Sequence, residues 1–330
     1  MKGRYGVWLG IVVFALVVAC APLLITSDRW LNFVVMSLFV AFLGQSWNVL
    51  GGYGGQFSFG HAAFFGTGAY MTAVLQIKLG VNAWAGFAAA GAGGAAVGGI
   101  VGFLSFRYGL RGSYFALVTL AFAEVLRIVA NSVGFTGGGV GLLVPLKQTA
   151  ENFQFTGKAG YLYVILALVV AGLVLAQWLE RSRFGARLMA VRENEDAARA
   201  LGVPAFATKM RAIALSGALA GLGGAFYVQY FLYIDPRIAY GPGISVEALL
   251  APIVGGIGTI FGPVWGAVVL HGVGEAAKGL IGQIAGKDAI GLDQVFYGVL
   301  LIAIVLFMPQ GFGGWLRRRT RRRGEGRDHA

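Results

Sequence analysis

Apolar stretches long enough to cross a lipid bilayer recur along the whole chain, and they leave it one class of fold. A helical crossing takes roughly 20 residues, and candidate stretches run near 7–26, 31–50, 62–79, 84–106, 113–132, 161–180, 211–232, 245–257, 260–281 and 293–309. In hydrocarbon every backbone N–H and C=O must be paired within the protein, which favours helices over open sheets. Composition agrees, because 57% of the residues are hydrophobic and 12% charged, about half the charge of a soluble domain. The expectation is an all-α polytopic integral membrane protein with about ten transmembrane helices, some broken or re-entrant. The stretch at 245–257 is the shortest and reads equally as a re-entrant or broken helix.

The charges orient these spans. Cytoplasmic loops carry the excess of Lys and Arg. Lys2 and Arg4, then Arg107 and Arg111, then Arg181, Arg183, Arg187, Arg192, Arg199, Lys209 and Arg211 all fall on one side if the spans alternate. The intervening loop at 133–160 has only Lys147 and Lys158 and is expected outside. The chain divides into a membrane domain, 1–310, and a basic cytoplasmic tail, 311–330, with Arg317, Arg318, Arg319, Arg321, Arg322 and Arg323. Basic clusters beside membrane helices meet anionic lipid, so the net charge of +12 points to membrane lipid and to no nucleic-acid partner. Val18-Ala19-Cys20 after a basic start resembles a lipoprotein-type signal cleavage site. The preceding apolar run exceeds a usual signal core, so the first helix is expected to stay, with both termini cytoplasmic. Cys20 is the single cysteine, which excludes an intrachain disulfide and argues against a metal site built on cysteines.

Glycine marks two places where regular helix should fail. Gly51-Gly52-Tyr53-Gly54-Gly55-Gln56-Phe57-Ser58-Phe59-Gly60-His61 has five glycines in its first ten residues. Irregular backbone at membrane depth is tolerated when buried in protein or lining an aqueous path. Gln56, Ser58 and His61 are therefore pathway candidates; a glycine-rich interfacial turn with a satisfied His61 is the other reading. Gly255-Gly256-Ile257-Gly258, followed by Phe261-Gly262-Pro263, echoes this segment. Internal repeats with broken helices occur in transporters, although an inverted repeat would put the two segments on opposite faces and the charge rule puts both on one.

Ionisable groups inside spans are costly and should face away from lipid. Glu124, Arg127 and Asn131 share one helix face. They pair with one another or line the translocation path. His271, Glu275 and Lys278 form a similar ladder nearer a helix end, and Glu247 begins the eighth stretch.

The loop at 181–211 contains Arg192-Glu193-Asn194-Glu195-Asp196-Ala197-Ala198 and then Leu201-Gly202-Val203-Pro204. Asn194 is a good N-cap, Glu195 and Asp196 suit the positive end of a helix dipole, and Gly202 with Pro204 ends the helix. A solvent-facing helix of about two turns is expected, of the kind that seats in a partner's groove. Glu195-Asp196-Ala197-Ala198 with Leu201-Gly202 resembles the glutamate-alanine-alanine-glycine loop by which membrane subunits of ABC importers dock their ATPases. The wider pattern includes Asn48 to Gln56 with Gly60-His61-Ala62, Leu110 to Glu124, and Thr136-Gly137-Gly138 with Gly141-Leu142. Together these resemble branched-chain amino acid ABC importer permeases of the LivM type over roughly 30–315, with Asp196 a departure inside the docking motif.

The resemblance implies a coupling segment at Arg192, Glu193, Asn194, Glu195, Asp196, Ala197, Ala198 and Gly202. It also implies a second, LivH-like permease subunit, two cytoplasmic ATPase subunits and a periplasmic substrate-binding protein, in the bacterial cytoplasmic (inner) membrane. No cofactor is expected on this chain, since ATP and magnesium would sit on the ATPase partners. No G-x-x-x-x-G-K-S/T phosphate loop occurs: Gly157-Lys158 precedes Ala159, and Gly286-Lys287 precedes Asp288. The chain is thus expected to be a transport subunit, not an enzyme, moving branched-chain or related amino acids inward. The same machinery could carry urea, short amides or other amino acids. An ion-coupled secondary transporter is a rival that leaves the 193–202 segment without a purpose. A membrane enzyme lacks paired carboxylates or a metal cluster, with His61, His271 and His329 scattered.

Overall fold

The structure, a computed structural model, describes residues 2–25, 27–147, 149–284 and 298–299. In chain order the helices are α1 (Lys2–Ala19), α2 (Ala21–Leu24), α3 (Asp28–Trp47), α4 (His61–Leu79), α5 (Ala83–Arg107), α6 (Gly112–Ser132) and α7 (Lys158–Arg181). Then follow α8 (Arg183–Glu193), α9 (Glu195–Ala200), α10 (Ala205–Phe231), α11 (Pro236–Tyr240), α12 (Pro242–Gly255) and α13 (Gly262–Ile284). The only strands among the described residues are β1 (Leu142–Leu143) and β2 (Tyr233–Ile234), paired antiparallel with Leu142 opposite Ile234. The all-α membrane class expected from sequence is what forms.

The centre of the bundle is α10, packed between α4 and α5. Lipid tails supply no hydrophobic drive between helices, so close backbone approach has to. Glycines provide it. A Cβ at Gly94 of α5 would run into the Gly217 carbonyl of α10, one at Gly68 of α4 into Gly221, and one at Gly224 into the Phe65 carbonyl. The pairs Gly94 with Gly217 and Gly98 with Ile213 make α5 and α10 antiparallel. Elsewhere the core is aromatic: Phe39 of α3 meets Phe65, Phe226 and Tyr227, with ring centroids 5.8 to 6.2 Å apart.

The helix count differs from ten. Seven segments among the described residues are both long and apolar enough to cross: Gly6–Leu24, Asp28–Tyr53, Ala83–Arg107, Gly112–Ser132, Lys158–Arg181, Ala205–Phe231 and Pro236–Gly255. Helices α4 and α13, of 19 and 23 residues, have the length, but Gln76 and Lys78 dilute one and His271, Glu275 and Lys278 the other. The short stretch at 245–257 belongs to a helix broken at Gly241, where α11 stops and Pro242 starts α12. The span at 293–309, apart from 298 and 299, and the basic tail at 311–330 lie outside the described residues.

The connections sort to two ends. One end gathers the turn after α3, the α5–α6 turn, α8, α9 and the α12–α13 turn, and is rich in arginine. At the other, Asn82 Nδ2 donates to the Glu151 carbonyl (2.8 Å), Lys158 Nζ donates to the Asp28 carbonyl (2.8 Å), and β1 pairs with β2.

Candidate functional site

At the arginine-rich end the sequence expects one solvent-facing helix of about two turns, and the structure has two helices, α8 and then the six-residue α9. Asn194 caps α9 as expected, its Oδ1 accepting from the backbone N–H groups of Asp196 (3.1 Å) and Ala197 (2.9 Å). Gly202, at φ +82°, turns the chain toward α10. The helix is not solvent-facing all round, because Glu195 and Ala198 are buried.

Glu195 turns inward for an electrostatic reason. Lys209 Nζ reaches its two carboxylate oxygens at 2.9 and 3.1 Å, Arg199 Nη2 lies at 2.5 Å, and Arg111 Nε lies at 3.2 Å. Lys209 is 1% exposed and sits 4.7 Å from the centre of the Phe106 ring. Arg111 also grips Asp196 with both Nη atoms, at 3.0 and 3.1 Å, and this hydrogen bonding holds the Asp196 carboxyl below its ordinary range. The same contacts raise Arg111. Three elements, α9, α10 and the α5–α6 turn, are thus clamped on one carboxylate. Asp196, Ala197 and Gly202 remain exposed on the outer side, beside Leu201 at 86%.

Sequence reasoning missed Arg111 and Lys209 as members of this site. Helix α10 begins at Ala205, six residues before the expected start, so Lys209 lies within its first turns instead of in a loop. No spacing rule joins positions 111, 195 and 209; only the fold does.

The first glycine-rich segment is less irregular than expected. Helix α3 runs on into a π-helical turn, Asn48–Tyr53, that absorbs Gly51 and Gly52, and only the stretch up to Gly60 is irregular. Gln56, Ser58 and His61 are all buried. His61 Nδ1 lies 3.2 Å from Ser58 Oγ and Nε2 2.9 Å from Ser216 Oγ, while Ser216 donates to the Ser46 carbonyl at 2.7 Å. This chain joins α3, α4 and α10. Gln56 Nε2 donates to the Gly54 carbonyl at 3.2 Å.

The second glycine-rich segment, the α12–α13 turn, meets the first. Gly258 N–H donates to Asn48 Oδ1 at 2.8 Å, and Asn48 Nδ2 donates to the Thr259 carbonyl at 3.1 Å. Arg192, at the end of α8, donates from Nη1 to the Gly52 carbonyl at 2.8 Å. Coupling segment and both glycine segments therefore occupy one junction.

Glu124 and Arg127 stand apart from it. Arg127 Nε and Nη2 donate to the two Glu124 oxygens at 2.8 and 2.6 Å, on a face of α6 that points out of the chain's own bundle. Asn131, also exposed, lies farther along α6 beside Gly138 and Gly139. In α13, Glu275 accepts from Arg29 Nε at 3.0 Å, and the side chain of Lys278 is outside the described residues. No cluster of three His, Cys, Asp or Glu that could hold a metal occurs among the described residues.

Over 320 residues the chain is 29% identical to the high-affinity branched-chain amino acid transport system permease protein LivM of Salmonella typhimurium, covering 90% of this chain and 72% of that one. The LivM of Escherichia coli is 28% identical, with 91% and 73% covered. LivH of Salmonella typhimurium is 24% identical, with 87% and 95% covered. No solved structure matches the chain. The family described as the branched-chain amino acid transport system permease component matches residues 29–305, and the chain belongs to it.

Proposed function

We propose that this chain is the transmembrane subunit of an ATP-driven importer that moves branched-chain or related amino acids inward by alternating access. The observation that carries the reading is α9. It is a short helix held rigid from behind by Glu195 and open in front at Asp196, Ala197, Leu201 and Gly202, so a partner's groove can seat it without unfolding it. That partner is a cytoplasmic ATPase, where ATP and magnesium are bound. The arginine-rich end faces the cytoplasm by the charge rule, and the 133–160 segment at the other end receives substrate from a periplasmic binding protein.

A second, related permease covers α6. Of the positions in its apolar stretch 28% are buried, against 83% for the segment from α3 through its π turn and 6% for α1, which carries no ion pair in its apolar stretch among the described residues. Its exposed face carries Glu124 and Arg127, and charges at membrane depth do not face lipid. The two permeases would then enclose the path between them, with α6 on its wall.

Reconstitution tests this. Proteoliposomes holding this chain, the second permease and the ATPases should accumulate leucine, isoleucine or valine only with ATP inside and binding protein outside. Uptake by this chain alone under an ion gradient would replace the reading with a secondary transporter. Urea or short amides in place of leucine would keep the machine and change its cargo, and calorimetry on the binding protein decides between them.

A further inference from the structure

The junction at the arginine-rich end does more than display α9. We propose that Arg192 is a positioning residue that ties the ATPase-docking helix to both glycine segments, so that displacement of α9 is delivered to α3–α4 and to α12–α13 together. This rests on the reading that α9 docks an ATPase.

Arg192 lies two residues before the Asn194 cap, near the end of α8, and its guanidinium has two working edges. Nε and Nη2 donate to Glu193 Oε1 at 3.1 and 2.7 Å, inside the coupling segment. Nη1 donates to the Gly52 carbonyl at 2.8 Å, inside the π turn that ends α3. A planar fork with fixed donors can bridge two acceptors in this way; the single ammonium of lysine lacks that geometry.

The glycines around it are required by contact. Gly55, at φ +66°, leaves room for the Arg192 stem, since a Cβ there would stand 2.6 Å from Cγ. Gly258, at φ +69°, passes under the guanidinium, and a Cβ on it would lie 3.0 Å from Nη1. A Cβ at Gly52 would lie 2.8 Å from the Gly258 backbone nitrogen and would overlap Asn48 Oδ1. Asn48 then closes the ring, bonded to Gly258 and Thr259 as described above. Three segments far apart in sequence thus touch through backbone groups, the Asn48 amide and one guanidinium. Each glycine segment joins two long helices, α3 with α4 and α12 with α13, so a displacement applied at Arg192 reaches four of them.

The test uses the full importer in proteoliposomes, with uptake of leucine and release of phosphate measured in the same vesicles. For Arg192→Gln the ratio of uptake to ATP hydrolysed should fall at least about fivefold, the lower end of typical coupling between sites, with partial recovery in Arg192→Lys. A role in packing alone would change the amount of assembled protein and leave that ratio where it was. Gly258→Ala is the second variant, because it disturbs the junction while α8 and α9 keep every side chain. Should Arg192→Gln fail to assemble, a fallen ratio in Gly258→Ala supports the proposal and an unchanged one overturns it. Unchanged ratios in both variants also overturn it. If the unaltered complex shows no ATP-dependent uptake, what fails is the docking reading itself.

Discussion

Glu195 and Lys209 are partners, yet removing one is not equivalent to removing the other. Without Glu195, the Lys209 charge, 1% exposed, is left with the Phe106 ring and the like charges of Arg199 and Arg111. An uncompensated buried charge costs roughly 3 to 5 kcal/mol. Without Lys209, Glu195 still has Arg199 at 2.5 Å and Arg111 at 3.2 Å. Glu195→Ala should therefore lower the thermal unfolding midpoint in detergent more than Lys209→Ala does; equal shifts, or the reverse order, would show that the arginines are not effective substitutes. Asp196 gives a pH prediction of definite sign. Arg111 holds its carboxyl below the ordinary 3.8, so its contribution to the folded state is complete above that value. It is lost only as pH falls through the lower folded-state value. Amide exchange through the α9 segment, corrected for intrinsic rates, should keep the same protection from about pH 8 down to about pH 5. A transition near neutrality would mean that another group controls this helix.

Among the helices, α5 and α10 make the sharpest demand on residue size. Gly94 faces the Gly217 carbonyl, whereas nothing lies within 4 Å of a Cβ placed on Gly99. Gly94→Leu should separate the helices and destabilise the bundle by at least about 1 to 3 kcal/mol, the usual range for overpacking, while Gly99→Leu should be tolerated. Fluorescence-detected size exclusion after heating compares the two, and equal loss in both would argue against close α5–α10 packing. Much of this layer was legible in the sequence. Long apolar runs announce their own helices, and the Asn194 cap and the Gly202 stop bracket α9 by local chemistry alone. The rest depended on tertiary contact. Helix α8 is not legible in this way, because its Arg183–Glu193 sequence is too charged to resemble a span. Gly51 and Gly52 have the local character of helix breakers, yet α3 carries them by widening into a π turn. The Arg111, Glu195 and Lys209 cluster is built by folding distant segments together, which no periodicity records.

At the scale of the whole molecule, the described residues leave more than one face uncovered, and the face on α6 carries charge. Its core is closed around α3 and α10, yet α6 presents an ion pair, with side chains 49% exposed at Glu124 and 30% at Arg127, beside exposed Leu117, Val125 and Ile128. In water such a pair contributes little, because solvent screens it. In a bilayer the same face has to meet protein or an aqueous path. The two settings predict different results for one substitution. Glu124→Ala in the isolated, detergent-solubilised chain should leave the unfolding midpoint nearly where it was. In the assembled importer at matched protein level it should lower uptake by at least about tenfold, because Arg127 would be left as an unpaired charge inside an interface. Restoring a carboxylate with Glu124→Asp should recover part of the loss, since a shorter acid still opposes the guanidinium. Uptake unchanged by Glu124→Ala would remove α6 from the path and from the contact with the second permease, and would require another covering for this face at membrane depth.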